Sequence, residues 1–229
     1  MTQRAAPSGL TPNQFILLTI EDDTEEAPWI MMGDPQMRVV SSLFVTLSEF
    51  MREQCPDWFV ASMLPILFRR PGTLHVRGQL GPDLFVARTE YRPRQSYDLM
   101  AGEPVPAFVL EVLSPESAAR DVELKRGAYS ELGVQEYALF APTANLGEPA
   151  LQGFLRDEKV GDFVPWELVG ERLWSEVLGL WLVARGPELR VQQADGAFLR
   201  TYAETRQREK ALEAEVDRLR TELQRRTRP

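Results

Sequence analysis

The chain has 229 residues, 44% of them hydrophobic, and a formal net charge of −8, enough for one domain with a substantial core plus an appendage. An acidic chain has no overall pull on nucleic acid or anionic membrane, so contact with a phosphate backbone requires a local basic patch. One cysteine, Cys55, and one histidine, His75, exclude disulfide scaffolds, cysteine-rich zinc sites and histidine-clustered metal centres.

Residues 1–30 read as a tail with an acidic segment, Glu21 to Glu26. No apolar run approaches the roughly 20 residues of a membrane span, and the N-terminus lacks the basic-then-apolar pattern of a secretory signal. A cytoplasmic protein without membrane contact is therefore expected. The main domain is expected over residues 31–199. It opens with a helix from Gln36 to Gln54, where Val39 or Val40, Leu43, Phe44, Leu47, Phe50 and Met51 recur at helical spacing. Pro56 ends it. Trp58 to Phe68 is strand-like, with Pro65 marking an edge or a bulge. Arg69 to Gly72 is a turn, Leu74 to Arg77 a short strand or loop, and Gly81-Pro82-Asp83 a turn entering a strand. Arg88 to Pro104 is polar and reads as a loop.

Ala107 to Leu113 is a near-continuous apolar run, the pattern of a strand covered on both faces. A helix follows, with Ser114 as N-cap, Pro115 at its first position and Gly133 just past its last turn. Glu136 to Phe140 is the next strand. Strand, helix and strand in this order with short connections make a βαβ unit with parallel strands. Leu151 to Val169 reads as a hairpin, and Trp174 to Val191 as further short strands. From residue 200 to 229 the chain is a highly charged helix. Its Leu212, Val216, Leu219 and Leu223 step by four, three and four, an apolar seam about two heptads long. That seam suits either a short coiled coil pairing two copies as a homodimer or a solvated helix with one apolar edge.

Lys125 lies in the middle of the helix stripe Ala118, Val122, Tyr129, Leu132, which should face the core. An unpaired ammonium there is expensive. The strand before it carries one carboxylate, Glu111, inside its apolar run, and buried glutamate is uncommon unless paired. If the Asp83 strand lies beside the Glu111 strand, both acids can project from one face, with Lys125 pointing back at them from the crossover helix. Two close carboxylates repel and are tolerated when a hard cation lies between them. With an ammonium beside the attacking water and the phosphoryl oxygens, the set suits phosphodiester hydrolysis. Asp121, four residues before Lys125, can tether the ammonium, and Tyr129 can pack over its stem. Blander readings exist for each residue: Asp83 is a common turn residue, and Glu111–Lys125 can be a buried salt bridge without metal. A serine hydrolase built on Ser114 is disfavoured, because capping already employs that side chain. Arg69, Arg70, Arg88, Arg92, Arg94 and Arg120 are the basic residues available for phosphates, with Arg88, Arg92 and Arg94 in the loop that follows the Asp83 strand.

The string Pro82-Asp83, then Glu111-Val112-Leu113-Ser114-Pro115, then Asp121, Lys125 and Tyr129, then Leu132-Gly133-Val134-Gln135-Glu136-Tyr137, closely resembles the Uma-two family. This bacterial family of restriction-endonuclease-like proteins lies within the PD-(D/E)xK nuclease superfamily. The resemblance runs from about Gln36 to about Leu189 and is most specific between Glu111 and Tyr137. It implies an α/β fold: a restriction-endonuclease-like core with a mixed, mostly four-stranded central sheet flanked by helices. The extra C-terminal strands and the terminal charged helix are additions to that core. The function it implies is a metal-dependent endodeoxyribonuclease acting on DNA. Asp83 and Glu111 would be ligands of Mg²⁺ or Mn²⁺, and Lys125 would replace the lysine that the superfamily places two residues after the glutamate, where this chain has Leu113. The chain departs from the family pattern at the start of the first helix. Residues 31–37 hold no histidine, and Asp34 is the nearest acid, with Glu25 and Glu26 further off. The alternative is a catalytically inactive module on a nuclease fold, serving protein interaction or oligomerisation.

Overall fold

The computed structural model describes residues 33–69, 77–113, 119–143 and 150–226. The expected acidic segment Glu21–Glu26, His75, Arg70, Ser114 and Pro115 lie outside these residues. Helix α1 (Asp34–Gln54) buries Val39, Val40, Leu43, Leu47 and Met51 along one stripe, while Phe44 stays 36% exposed. It leads into β1 (Phe59–Ser62), β2 (Ile66–Arg69), β3 (Arg77–Leu80), β4 (Leu84–Ala87), β5 (Tyr97–Asp98) and β6 (Phe108–Val112). Helix α2 (Ala119–Leu132) crosses to β7 (Glu136–Phe140), followed by β8 (Leu151–Asp157), β9 (Asp162–Pro165), β10 (Arg172–Ser175), β11 (Leu180–Arg185), β12 (Glu188–Gln192) and helix α3 (Tyr202–Arg226).

Six strands form the central sheet in the order β1-β4-β6-β7-β8-β9. Only β6 and β7 run parallel; the other neighbours are antiparallel. This is the expected mixed α/β architecture, with two more strands than the expected four, because the β8–β9 hairpin extends the β7 edge. Side chains alternate between two apolar clusters, as the pleat requires. Leu84, Val86, Phe108, Leu110, Val112, Ala138 and Phe140 face a cluster completed by α1 and the β10-β11-β12 sheet. Phe85, Val109, Tyr137 and Leu139 face the other, completed by α2 and the small β3-β2-β5 sheet. Both faces are covered, so the strands read as unbroken apolar runs.

Two local features differ from the sequence expectation, and a third was not anticipated by it. The segment expected as one strand from Trp58 to Phe68 is two strands in different sheets, broken at Met63, whose φ of 53° is left-handed. The expected loop from Arg88 to Pro104 contains β5 and a 3₁₀ turn, Leu99–Ala101, capped by the Asp98 carboxylate on Met100 N–H. Glu136, from the Leu-Gly-Val-Gln-Glu-Tyr string, points away from α2. Its carboxylate accepts from Ser175 Oγ and Val177 N–H and so ties the central sheet to the C-terminal one. The end of α2 matches expectation: Gly133 takes φ 90°, with Gly133 N–H on Ser130 O and Val134 N–H on Tyr129 O, the paired bonds of a Schellman ending. No helix among the described residues is long and apolar enough to cross a membrane.

Gly153 in β8 sits where a Cβ would lie 2.7 Å from Leu173 Cδ1 and 2.7 Å from Trp166 Cε3, with no free volume to take it. Gly153→Ala is expected to lower stability by about 1–3 kcal/mol, read as a shifted midpoint in urea at unchanged slope.

Candidate functional site

The β4–β6 register pairs Leu84 with Leu110. One residue further along, Asp83 stands across from Glu111, and by the alternation of the pleat both project toward α2. One more step sets Pro82 across from Val112. Proline has no N–H to donate, so the ladder cannot continue there, and side chains take over. Asp83 Oδ2 accepts the Val112 N–H at 2.6 Å, and Gln36 Nε2 donates to Val112 O at 2.6 Å. The Pro-Asp pair thus ends one strand pairing and fixes a carboxylate with the freed N–H. On its other side, the Asp83 carbonyl accepts from Met63 N–H and from Ser62 Oγ, each at 3.1 Å, so backbone and side chain of Asp83 are both held.

Glu111 is 4% exposed. Its Oε2 accepts from Lys125 Nζ at 3.0 Å and its Oε1 from Tyr129 O–H at 2.8 Å. Lys125 and Tyr129 are one helical turn apart on α2, which places both donors on one stripe. Burial pushes the Glu111 carboxyl up to about 7; the neighbouring Lys125 charge opposes the shift and Asp83 adds to it. Burial likewise raises Asp83, against the Val112 N–H and Lys125, which favour its charged form. Tyr129 is held far above the ordinary phenol range by burial and by the Glu111 charge, so it stays a donor. The Lys125 side chain is 28% exposed: its stem is packed while its head reaches the edge of the site.

Asp83, Glu111, Lys125 and Tyr129 are therefore brought together. Tyr129 does more than the expected packing, since its hydroxyl binds the carboxylate. Asp121 lies on α2 by its backbone, and its side chain, like that of Arg120, is outside the described residues. The arginines of the basic loop have partners of their own. Arg88 directly follows β4, five residues from Asp83, or about 17 Å along an extended strand. Its guanidinium lies 4.9 Å from the Trp58 ring centre. Arg94 and Arg92 both hold the Glu103 carboxylate. Arg94 is 5% exposed and stacks 4.4 Å from the Phe59 ring centre. These arginines close an aromatic-lined loop at the far end of the strand instead of facing the acids. Arg69, at the end of β2, is exposed.

Gln36 was missed by the sequence reading. It is the third residue of α1, and its Oε1 accepts the Gly33 N–H at 3.1 Å while its amide holds Val112. A glutamine three residues after a helix start is the capping-box signal, and that signal was available. Its second bond, 76 residues away in sequence, was not.

The donor chemistry fits a hard divalent cation. Two carboxylates on adjacent strands supply oxygen ligands, and Mg²⁺ is commonly held by one or two carboxylates with waters and phosphate oxygens completing its shell. Among the described residues no group of three or more His, Cys, Asp or Glu is placed to hold a metal ion.

A family model described as "Putative restriction endonuclease", Uma2, matches residues 23–160, more than half of the chain. The chain belongs to this family. Among solved structures, a putative nuclease of DUF820 from Anabaena variabilis ATCC 29413 is similar at 15% identity and a TM-score of 0.45. That alignment covers 70% of this chain and 86% of the other. No curated protein matches.

The Glu111 shift makes a prediction about pH. The folded state holds the Glu111 proton more tightly than the unfolded chain does. Between the ordinary value of 4.5 and about 7 the folded state therefore binds the extra proton, and this group's contribution to stability falls as pH rises. In chelator, Glu111→Gln is expected to gain stability relative to the parent across that window, by roughly 3 kcal/mol in total. Denaturant midpoints of both proteins from pH 4 to 8 read the difference.

Proposed function

We propose that the chain is a metal-dependent endodeoxyribonuclease in which Asp83 and Glu111 hold Mg²⁺ or Mn²⁺ and Lys125 serves the water and phosphate. The observation that carries this reading is the convergence of two desolvated acids and one ammonium on a single face of the sheet. Membership of a family described as restriction endonucleases supports DNA as the substrate.

The residues divide the work by position. Asp83 is oriented by the Val112 N–H at one oxygen. Glu111 is oriented by Tyr129 at one oxygen and Lys125 at the other. Each carboxylate oxygen can accept a second partner, so these contacts aim the ligands without exhausting them. A divalent ion bound there supplies Lewis-acid polarisation of the phosphate and a more acidic water. Lys125, with three donors on a flexible stem, can orient that water and offset charge growing on phosphoryl oxygens. Glu111 must release its proton to act as a ligand, so burial tunes the site toward neutral to alkaline pH. Tyr129 keeps its proton at that pH and acts only as a hydrogen-bond donor.

The competing reading treats Glu111, Lys125 and Tyr129 as a structural network. The observation in its favour is that both Glu111 oxygens already have protein partners. The two readings separate on Lys125→Ala. As a nuclease, the variant loses about 100-fold or more in cleavage rate and still binds Mn²⁺. As a structural network, it loses about 3–5 kcal/mol of stability, with no metal effect in either protein. The assay is cleavage of plasmid, single-stranded and branched DNA with Mg²⁺ or Mn²⁺. Activity is expected only with the ion, rising with pH up to about 7–8, and lost in Asp83→Asn and Glu111→Gln. All three substrates left intact at high protein concentration would remove the catalytic claim.

A further inference from the structure

Helix α3 has no buried residue, yet it presents Leu212 at 53%, Val216 at 43%, Leu219 at 51% and Leu223 at 63% exposure along one line. A 25-residue helix spans about 37 Å, and such a stripe in water is costly unless covered. Its root is fixed. Thr201 Oγ1 accepts the Glu204 N–H, and the Glu204 carboxylate accepts the Thr201 N–H and pairs with Arg190, a complete capping box bolted to β12. Glu204, Gln207, Arg208 and Ala211 line a cleft with Arg190 and Phe198, so this side faces the domain. At 3.6 residues per turn the apolar line lies about a quarter turn round the helix from that side, with Arg208 between the two.

We propose that this line is the seam of a parallel two-stranded coiled coil with a second copy of the same chain. Writing Val216 and Leu223 as a positions and Leu212 and Leu219 as d positions puts a β-branched residue at one a and leucine at both d, a combination that favours two parallel strands. The flanking charges then choose the direction. In a parallel pair, each g residue faces the e residue five positions on in the partner copy. Arg208 faces the second copy's Glu213, and Glu215 faces its Arg220, each contact occurring twice by symmetry, all four attractive. In an antiparallel pair with the same seam, Arg208 would face Glu222 and Glu213 would face Arg220, but Glu215 would face Glu215 of the second copy, a repulsive contact that the parallel pair lacks. The intrahelical pairs Arg218–Glu215 and Arg220–Asp217 are exposed i,i+3 contacts that exchange readily for interchain ones. Two heptads are marginal for free peptides. Here the helix is already nucleated by its cap and held to the folded domain, so association does not carry that cost. Because the domain sits at the N-terminal end of α3, a parallel stalk carries both domains, and both Asp83–Glu111 sites, at the same end.

The test is the molar mass of the full chain by light scattering and sedimentation. The parent should give twice 26.1 kDa. Leu219→Glu should give the single mass with an unchanged melting temperature, since Leu219 touches no core. Arg208→Glu should weaken the dimer about tenfold or more, and Arg208→Glu with Glu213→Arg should restore it. The double variant rescues only the parallel pairing. In the antiparallel arrangement it sets residue 208, now glutamate, against Glu222 and residue 213, now arginine, against Arg220. A monomeric parent, a dimer that survives Leu219→Glu, or a double variant no tighter than the single one would each overturn the proposal. DNA cleavage is not the readout, so failure here is separate from failure of the nuclease reading.

Discussion

A carboxylate buried in an apolar strand is the constraint around which the rest of the molecule is arranged. Glu111 has apolar neighbours in its own strand, and its environment favours the protonated form until neutral pH. The fold answers with donors from the crossover helix. Lys125 supplies opposing charge, and Tyr129 supplies a hydroxyl that burial prevents from ionising. Asp83, brought opposite by the strand register, works the other way and raises the electrostatic cost of a charged Glu111. Such a set is tense as an isolated protein, and under the proposed function a cation between the acids would relieve it. That asymmetry is what a metal-binding site requires.

The same tension explains the local backbone. A strand pairing that ran on past Leu84 would have used the Val112 N–H and carbonyl in the ladder. Pro82 prevents this, Asp83 captures the N–H, and Gln36 captures the carbonyl. Helix α1 is thereby clipped by its first turn to the end of the site strand, while its apolar stripe packs beneath the opposite face of the sheet. Met63, left-handed where the chain leaves the central sheet, completes the clamp on Asp83 through its N–H. A conformation disfavoured for a non-glycine residue is kept where it fixes a functional group.

Much of this was legible in the sequence for identifiable reasons. The βαβ unit announced itself because β6 and β7 are covered on both faces and α2 is stopped by Gly133. Lys125 and Glu111 stood out because each breaks an apolar pattern, and a pattern break in a core needs a partner. What stayed illegible depended on distant pairing or on packing partners. Glu103 gathers Arg92 and Arg94 from eleven and nine residues earlier, turning an expected phosphate-binding loop into an aromatic-backed ion pair. Spacing could not show this, because an arginine in a polar loop looks the same whether its partner is a phosphate or a carboxylate. The extra β8–β9 pair and the Glu136 tie to Ser175 depend on which sheet edge is open, a property of the assembled fold and not of any one segment.

The most direct test is calorimetry of Mn²⁺ binding in buffers of different ionisation enthalpy. If the two acids share a cation, binding near pH 6.5 must expel the proton that burial keeps on Glu111. Close to one proton should then be released per ion, fading by about pH 8.5 and abolished, together with most of the affinity, in Asp83→Asn. Binding with no proton release across that range, or no binding at all by the native chain, would contradict the account.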